Sequence, residues 1–191
     1  MQAAEELFSR GRFHEVKMED VARKAGVGKG TIYRYFKDKD DLFTEVALAG
    51  YDELCEMVRT ESGRSTDFRT ALVNVCRRVS EFHRLRRQLM SMQQAAERRA
   101  LWQHGRMKER WRQKRHALVA AVSDLLGEGR LTGEIRDDLP LDVLAVFLLS
   151  MLRTRGWAGR VDPGFRIGHE AVVDLFLNGV SPKAGGKDEK A

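Results

Sequence analysis

Two short segments with helical periodicity flank a glycine-containing turn near the start of the 191-residue chain. The first, Met18–Ala25, carries an apolar stripe at helical spacing, and the second is Lys29–Phe36. Gly26 lies between them, where a tight turn requires a left-handed backbone that glycine adopts readily. Two helices of this length joined by such a turn are typical of a helix-turn-helix. The pattern therefore predicts this motif over residues 17–36.

The rest of the chain also favours helix. Proline is scarce, with 3 residues, and no segment of convincing length alternates apolar with polar residues as a half-buried strand does. We therefore predict an all-α fold in three parts. Residues 1–48 are an N-terminal three-helix domain with the helix-turn-helix, and residues 49–180 are a C-terminal helical domain. Residues 181–191 are a disordered tail.

Residue types mark several helix boundaries. A side-chain acceptor or a proline ring suits the start of a helix, which predicts helix starts at Asp38, Asp67, Pro140 and Pro163. Glycines interrupt helices, which predicts a loop at Gly127, Gly129 and Gly133. The helix after Pro140 is apolar nearly all round from Leu141 to Leu152, so both of its sides require burial.

Composition narrows the class of function. Cys55 and Cys76 lack CxxC spacing, so we interpret them as buried or half-buried thiols rather than redox sensors, and the five histidines show no metal-ligand spacing. The sequence has no recognisable activated nucleophile or phosphate loop, and we expect no enzyme, no cofactor and no metal site. The longest clean apolar run, Val143–Leu149, is far shorter than the roughly 20 residues that span a bilayer. We therefore expect a cytoplasmic protein with no membrane partner.

The predicted outer face of the second short helix carries Lys29, Thr31, Tyr33, Arg34 and Tyr35. Lysine and arginine neutralise phosphates, and threonine and tyrosine donate hydrogen bonds to phosphate oxygens. Any of these side chains can also reach a base edge in the major groove. The net charge of +6 is compatible with such a surface.

Three strings, Val21–Val27, Lys29–Phe36 and Lys39–Phe43, together closely resemble the DNA-binding domain of TetR-family (tetracycline-repressor) regulators. The Thr-x-Tyr-x-Tyr-Phe-x-x-Lys core is a far more specific signal than a generic helix-turn-helix. The resemblance extends from about Ala3 to Val46, and beyond it only the length and the helical pattern are similar.

This resemblance implies roles for individual residues. Thr31 and Tyr33 are expected to contact phosphates, with Arg34 as an additional contact. Lys29, Gly30 and Tyr35 are expected to face base edges, and Lys39 to grip the DNA backbone. The chain departs from the family pattern at both helix N-caps, because Lys17 and Gly28 stand where serine or threonine is usual.

The resemblance also implies that the last two helices form an intersubunit four-helix bundle in a homodimer. Their apolar excess fits this expectation, and the alternative is that both helices are interior to one globule. The expected interface residues are Leu144, Phe147, Leu148, Met151, Val172, Leu175 and Phe176. A twofold dimer implies a near-palindromic operator.

Positive charge is concentrated away from the helix-turn-helix. Residues 1–44 contain nine Lys or Arg and eight Asp or Glu. Residues 77–115 contain 13 Lys or Arg but only 3 Asp or Glu. Three interpretations stay open for the second region: solvated helix faces, extra phosphate contacts, or a pocket that selects an anionic ligand. The candidate lining of such a pocket is Phe82, Met90, Trp102, Met107 and Trp111.

The expected function is that of a transcriptional regulator that binds double-stranded operator DNA as a homodimer. The leading hypothesis is a repressor that an unidentified small-molecule effector releases from its operator. The alternative is a DNA-binding architectural protein, or one controlled by a protein partner, without a small ligand.

Overall fold

The computed structural model describes residues 1–10, 13–64, 67–86 and 106–180, with only the backbone at 106–108, 160 and 180. Every regular element in these ranges is helical, which confirms the all-α class. The helices are α1 Gln2–Arg10, α2 Met18–Lys24, α3 Lys29–Tyr35, α4 Lys39–Ser62, α5 Phe68–Leu85, α6 Arg106–Leu131, α7 Leu141–Val161 and α8 His169–Val180, with a 3-10 turn at Pro163–Phe165. The predicted disordered tail, residues 181–191, lies outside the described residues.

The chain divides into two compact units. The first consists of Met1–Glu53 and Phe82–Arg115, and the second of Leu54–Glu81 and His116–Ala191. The described residues 82–86 and 106–115 therefore belong to the same compact unit as the N-terminal helices. The functional division after residue 48 stays a prediction.

An aromatic cluster organises the core of the first unit. The Phe8 ring of α1 lies 5.3 Å from the Phe43 ring of α4 in an edge-to-face arrangement and 5.9 Å from the Phe13 ring of the α1–α2 connector. Phe8 is fully buried, and Val21 of α2 and Ile32 of α3 are buried in the same core. This core fixes the four N-terminal helices as one body, because aromatic rings bury large areas and pack in specific geometries.

Side-chain caps start two of the long helices as predicted. The Asp38 carboxylate accepts a hydrogen bond from the backbone N–H of Asp41 at 2.8 Å, ahead of α4. Asp67 accepts one from the N–H of Thr70 at 2.7 Å, ahead of α5. Hydrogen bonding with Thr70 lowers the pKa of the Asp67 carboxyl, because it favours the ionised form.

The second unit has an aliphatic core. It includes Leu72 of α5, Leu125 of α6, Leu148 of α7 and Val173 of α8, each at most 1% exposed. Cys55 and Cys76 are both buried, and burial raises the pKa of the Cys76 thiol to about 12. A thiol with such a pKa stays protonated and unreactive near neutral pH, which favours a structural role over a redox role.

The predicted loop at the three glycines is wrong for two of them. Gly127 and Gly129 lie inside α6, and only Gly133, with φ +80°, lies in the turn that follows the helix. Packing explains why a glycine occupies position 129 of this helix, because a Cβ there would overlap the Phe68 ring. The glycine therefore admits an aromatic side chain from α5 against the helix backbone.

Gly129→Ala should lower the free energy of unfolding by about 1–3 kcal/mol, because the added methyl forces the Phe68 ring from its site. Gly127→Ala is the matched control, since its Cβ would meet the Leu141 side chain at an ordinary 3.6 Å. The control should be neutral or stabilising by up to about 1 kcal/mol through helix propensity. Urea unfolding followed by circular dichroism measures both, and equal stability changes would refute the packing explanation.

The predicted start of the last helix at Pro163 is also wrong. Asp162 accepts a hydrogen bond from the N–H of Gly164 at 2.7 Å and caps only the short 3-10 turn. The α-helix begins six residues after Pro163, at His169. The start at Pro140 is confirmed, although α7 continues to Val161 and passes well beyond the predicted apolar segment. None of the described helices is long and apolar enough to cross a membrane.

Candidate nucleic-acid interface

The turn between α2 and α3 has the predicted geometry. Gly26 adopts φ +68°, and its N–H bonds to the carbonyl of Arg23 at 3.2 Å. The N–H of Val27 bonds to the carbonyl of Ala22 at 3.0 Å. These two bonds form a Schellman motif, which satisfies carbonyls at the end of α2 and requires the left-handed residue. The turn is therefore encoded locally.

Both short helices begin without a side-chain cap. Lys17 and Gly28 occupy the N-cap positions, and neither provides a side-chain hydrogen bond. Their backbone carbonyls accept the first helical bonds instead, at 3.0 Å from the N–H of Thr31 in α3 and at 3.1 Å from that of Asp20 in α2. The first turn of α2 carries two acidic residues, Glu19 and Asp20, whose negative charges stabilise the helix by interacting with the positive end of its dipole.

The outer face of α3 is open to solvent. Ile32 faces the core and is 5% exposed, whereas Tyr33 and Tyr35 are 43% and 68% exposed. Lys29, Gly30 and Arg34 are exposed and Thr31 is half-buried. Each exposed tyrosine ring leaves apolar surface in contact with water, and a binding partner can bury that surface. This face is therefore suited to binding. The structure thus brings together all of the predicted contact residues of α3.

Two aromatic–cation contacts order this face. The Arg34 guanidinium lies 5.2 Å from the Tyr35 ring centroid and donates to the Tyr35 hydroxyl at 3.4 Å. The Lys29 ammonium lies 5.8 Å from the Tyr33 ring centroid. Such contacts hold long cationic side chains over aromatic rings. These side chains then lose less conformational freedom when they bind a partner.

Lys39 has an internal role that the sequence pattern did not indicate. Its ammonium donates to the carbonyl oxygen of Phe13 at 2.8 Å and lies 4.5 Å from the Phe13 ring centroid. It therefore ties the start of α4 to the α1–α2 connector. The contact of Lys39 with the DNA backbone stays a prediction, and any such contact competes with this internal bond.

Many of the basic residues in the region 77–115 are paired with acids. The Arg110 guanidinium binds the Glu45 carboxylate of α4 through two hydrogen bonds of 2.5 and 2.9 Å, and the Lys114 ammonium binds Asp52 of the same helix at 2.5 Å. Arg86, with its side chain 17% exposed, is hydrogen-bonded to Glu5 and ion-paired with Glu53. These cations are neither freely solvated nor available to phosphates without breaking an ion pair.

A sequence signal for this pairing existed. Glu45, Asp52 and Glu53 recur at helical spacing along one face of α4, and Arg110 and Lys114 are four residues apart in α6. Opposite charges on two such helical faces predict mutual pairing, whereas counting the charge of residues 77–115 alone does not.

The candidate pocket residues that the structure describes are packed in the first unit. Trp111 is 2% exposed and its ring meets the Tyr51 ring edge-on at 6.1 Å. Phe82 is 6% exposed, and the Arg86 guanidinium lies 4.2 Å from its ring centroid. Met90, Trp102 and the side chain of Met107 lie outside the described residues. The pocket at these residues stays a prediction.

The expected dimer residues separate into two sets. Leu144, Leu148, Val172 and Phe176 are at most 3% exposed and pack inside the chain, so they are not available to a partner. Phe147 and Leu175 are 61% and 60% exposed, and Met151 is half-buried. One face of each helix therefore forms the core of its own chain, and the assignment of these seven residues to a dimer interface stays a prediction.

Further large hydrophobic residues are exposed on the same elements. We name the exposed hydrophobic residues of α7, the 3-10 turn and α8 the α7–α8 apolar face: Val143, Val146, Phe147, Trp157, Val161, Phe165, Ile167 and Leu175. An exposed apolar surface with this many large side chains is typical of a protein–protein interface.

The fold and the helix-turn-helix have recognisable relatives. The model of the family described as "Bacterial regulatory proteins, tetR family" matches residues 1–46. The HTH-type transcriptional repressor AcnR of Corynebacterium diphtheriae is 25% identical over 181 residues, which cover 94% of this chain and 88% of AcnR.

Solved structures agree in fold. The fatty acid degradation regulator FadR from Bacillus halodurans superposes with a TM-score of 0.71 at 20% identity, over 94% of this chain and 96% of that one. The transcriptional regulator FadR from Bacillus subtilis, in complex with stearoyl-CoA, gives a TM-score of 0.69 at 18% identity, over 93% of each chain. The helix-turn-helix and the family match show that residues 1–46 form a DNA-binding domain of the TetR-family type.

Proposed function

We propose that this regulator is a repressor that binds a near-palindromic operator as a homodimer and leaves it when a small-molecule effector binds. The observation that carries the proposal is the exposed face of α3, where Lys29, Tyr33, Arg34 and Tyr35 stand on a helix-turn-helix. Two such faces in a twofold dimer would read two half-sites about one DNA turn apart, roughly 34–36 Å or modestly more.

The test of this proposal is an affinity selection from random duplexes of about 30 base pairs, followed by salt titration of the enriched site. A dimeric regulator should enrich an inverted repeat and bind it with a steep negative salt dependence. Binding that depends on salt but enriches no sequence would contradict the proposal of a specific operator.

Tyr33→Phe should weaken operator binding by about ten- to hundredfold, because it removes one hydroxyl hydrogen bond to a charged phosphate. The salt slope should stay unchanged, since the hydroxyl displaces no counterion. Tyr51→Phe makes the same chemical change in α4 and should leave operator affinity intact. Titration of labelled operator measures these affinities. Equal affinities for the two variants would show that Tyr33 makes no phosphate contact.

We propose an amphipathic acid or an acyl thioester as the effector class. Residues 77–115 contain ten more basic than acidic residues, with aromatic and methionine residues interspersed, a composition that suits a pocket for such a ligand. Arg86, Arg110 and Lys114 are ion-paired, so they would have to leave their acidic partners to bind it. The Bacillus subtilis FadR solved with stearoyl-CoA supports this class.

Calorimetry with a panel of fatty acids and acyl-CoA thioesters tests the effector class. A true effector must weaken operator binding by the same factor by which operator weakens effector binding. Silence across the panel, with operator binding intact, would favour control by a protein partner instead.

A further inference from the structure

A carboxylate of α2 holds one of the predicted base-contacting residues of α3. The Glu19 carboxylate lies 2.6 Å from the Lys29 ammonium, and the two side chains are 49% and 63% exposed. The same ammonium lies 5.8 Å from the Tyr33 ring centroid. Lys29 is therefore not a free cation in the unbound protein, because Glu19 and Tyr33 together fix its position.

The electrostatics of the two helix starts explain this pair. Lys29 is the first residue of α3, where a cation opposes the positive end of the helix dipole. Glu19 is in the first turn of α2, where an anion is favoured, and its carboxylate also accepts a hydrogen bond from its own backbone N–H. The hydrogen bond between the two side chains raises the pKa of Lys29 and lowers that of Glu19, so both groups are charged at neutral pH.

This pair changes what Lys29 gains from DNA. A lysine that neutralises a phosphate normally releases a counterion, and this release drives non-specific binding. Glu19 already neutralises Lys29, so a phosphate must displace a carboxylate rather than a mobile ion. Residues 1–44 carry only nine basic residues against eight acidic ones, so one charge more or less is a large fraction of the total.

We propose that Glu19 is a specificity-determining residue that keeps Lys29 from the phosphates of random DNA. Lys29 then leaves Glu19 only where the operator offers acceptors in the major groove, such as the O6 and N7 atoms of guanine. Glu19 acts through Lys29 and touches no base itself. This inference rests on the proposed function, which assigns Lys29 a DNA contact.

The experiment measures binding of the full chain to a 30-base-pair duplex of random sequence over a range of salt concentrations. Glu19→Gln should tighten this binding by at least about threefold near 0.1 M salt and steepen the slope of log K against log salt by about 0.9 for each subunit bound. Binding to the selected operator should change less, so the ratio of specific to random affinity should fall. The gain should vanish when Glu19→Gln is combined with Lys29→Met.

Glu15→Gln is the control for net charge, because it removes one negative charge from an exposed residue of the α1–α2 connector. It should leave the salt slope of the wild type unchanged. An unaltered slope for Glu19→Gln would overturn the inference, and so would a gain that persists beside Lys29→Met, since Glu19 would then repel phosphate directly.

The two proposals fail separately in this design. If the wild type enriches no operator, the proposed function fails and this inference fails with it. If the wild type binds its operator and Glu19→Gln behaves like the wild type on both duplexes, only the role of Glu19 is refuted. Thermal unfolding of Glu19→Gln should match the wild type, since exposed ion pairs contribute little to stability.

Discussion

Phe147→Asp should convert the proposed homodimer into a monomer and weaken operator binding by at least about a hundredfold. Phe147 is 61% exposed and is the most exposed member of the α7–α8 apolar face, where a partner copy would enclose it. Burying an unpaired carboxylate in such an interface costs several kcal/mol, and each 1.4 kcal/mol lowers affinity tenfold. A monomer also contacts one half-site instead of two, which removes the benefit of linked binding.

Light scattering at micromolar concentration measures the association of this variant. Leu131→Asp is the matched control, because Leu131 is 90% exposed at the end of α6 and is not part of the α7–α8 apolar face. The control should remain dimeric with wild-type operator affinity. A monomeric wild type, or a dimeric Phe147→Asp, would contradict the assignment of this face to the dimer.

Phe8→Ala should lower the free energy of unfolding by about 3–5 kcal/mol and the melting temperature by roughly 6–20 °C. The Phe8 ring is 0% exposed and packs against the rings of Phe13 and Phe43. Its loss leaves a cavity where α1, the connector and α4 meet. DNA binding should weaken at temperatures where the wild type still binds, because this core supports the helix-turn-helix.

Urea and thermal unfolding measure the stability of Phe8→Ala. Tyr35→Ala is the control for truncation of a large ring, because Tyr35 is 68% exposed and should change stability by less than about 0.5 kcal/mol. A loss of less than about 1 kcal/mol for Phe8→Ala would show that α1 is not an integral part of the first unit.

The outer face of α3 was predictable from the sequence because its signals are local. The left-handed Gly26, the bonds that close the turn and the exposed positions of α3 all depend on residues within about eight positions of each other. Backbone geometry and helical periodicity act over this range, so the residue pattern is sufficient to predict them. The N-caps at Asp38 and Asp67 were predictable for the same reason.

The α7–α8 apolar face shows where periodicity stops being informative. Phe147 and Leu148 are adjacent, equally apolar and equally compatible with an interface. The structure buries Leu148 to 1% exposure and leaves Phe147 61% exposed. A helix that is apolar all round does not specify which side meets its own core, and only the neighbouring helices decide this.

The sequence by itself determined the helical class, the helix-turn-helix and the residues on the outer face of α3. Tertiary structure decided the partners: Glu19 for Lys29, the Phe13 carbonyl for Lys39 and the Phe68 ring for Gly129. These contacts join residues from ten to more than sixty positions apart. A hydrogen bond within a turn is prescribed by backbone geometry, whereas an ion pair or a ring contact between helices depends on how those helices pack, which no local spacing encodes.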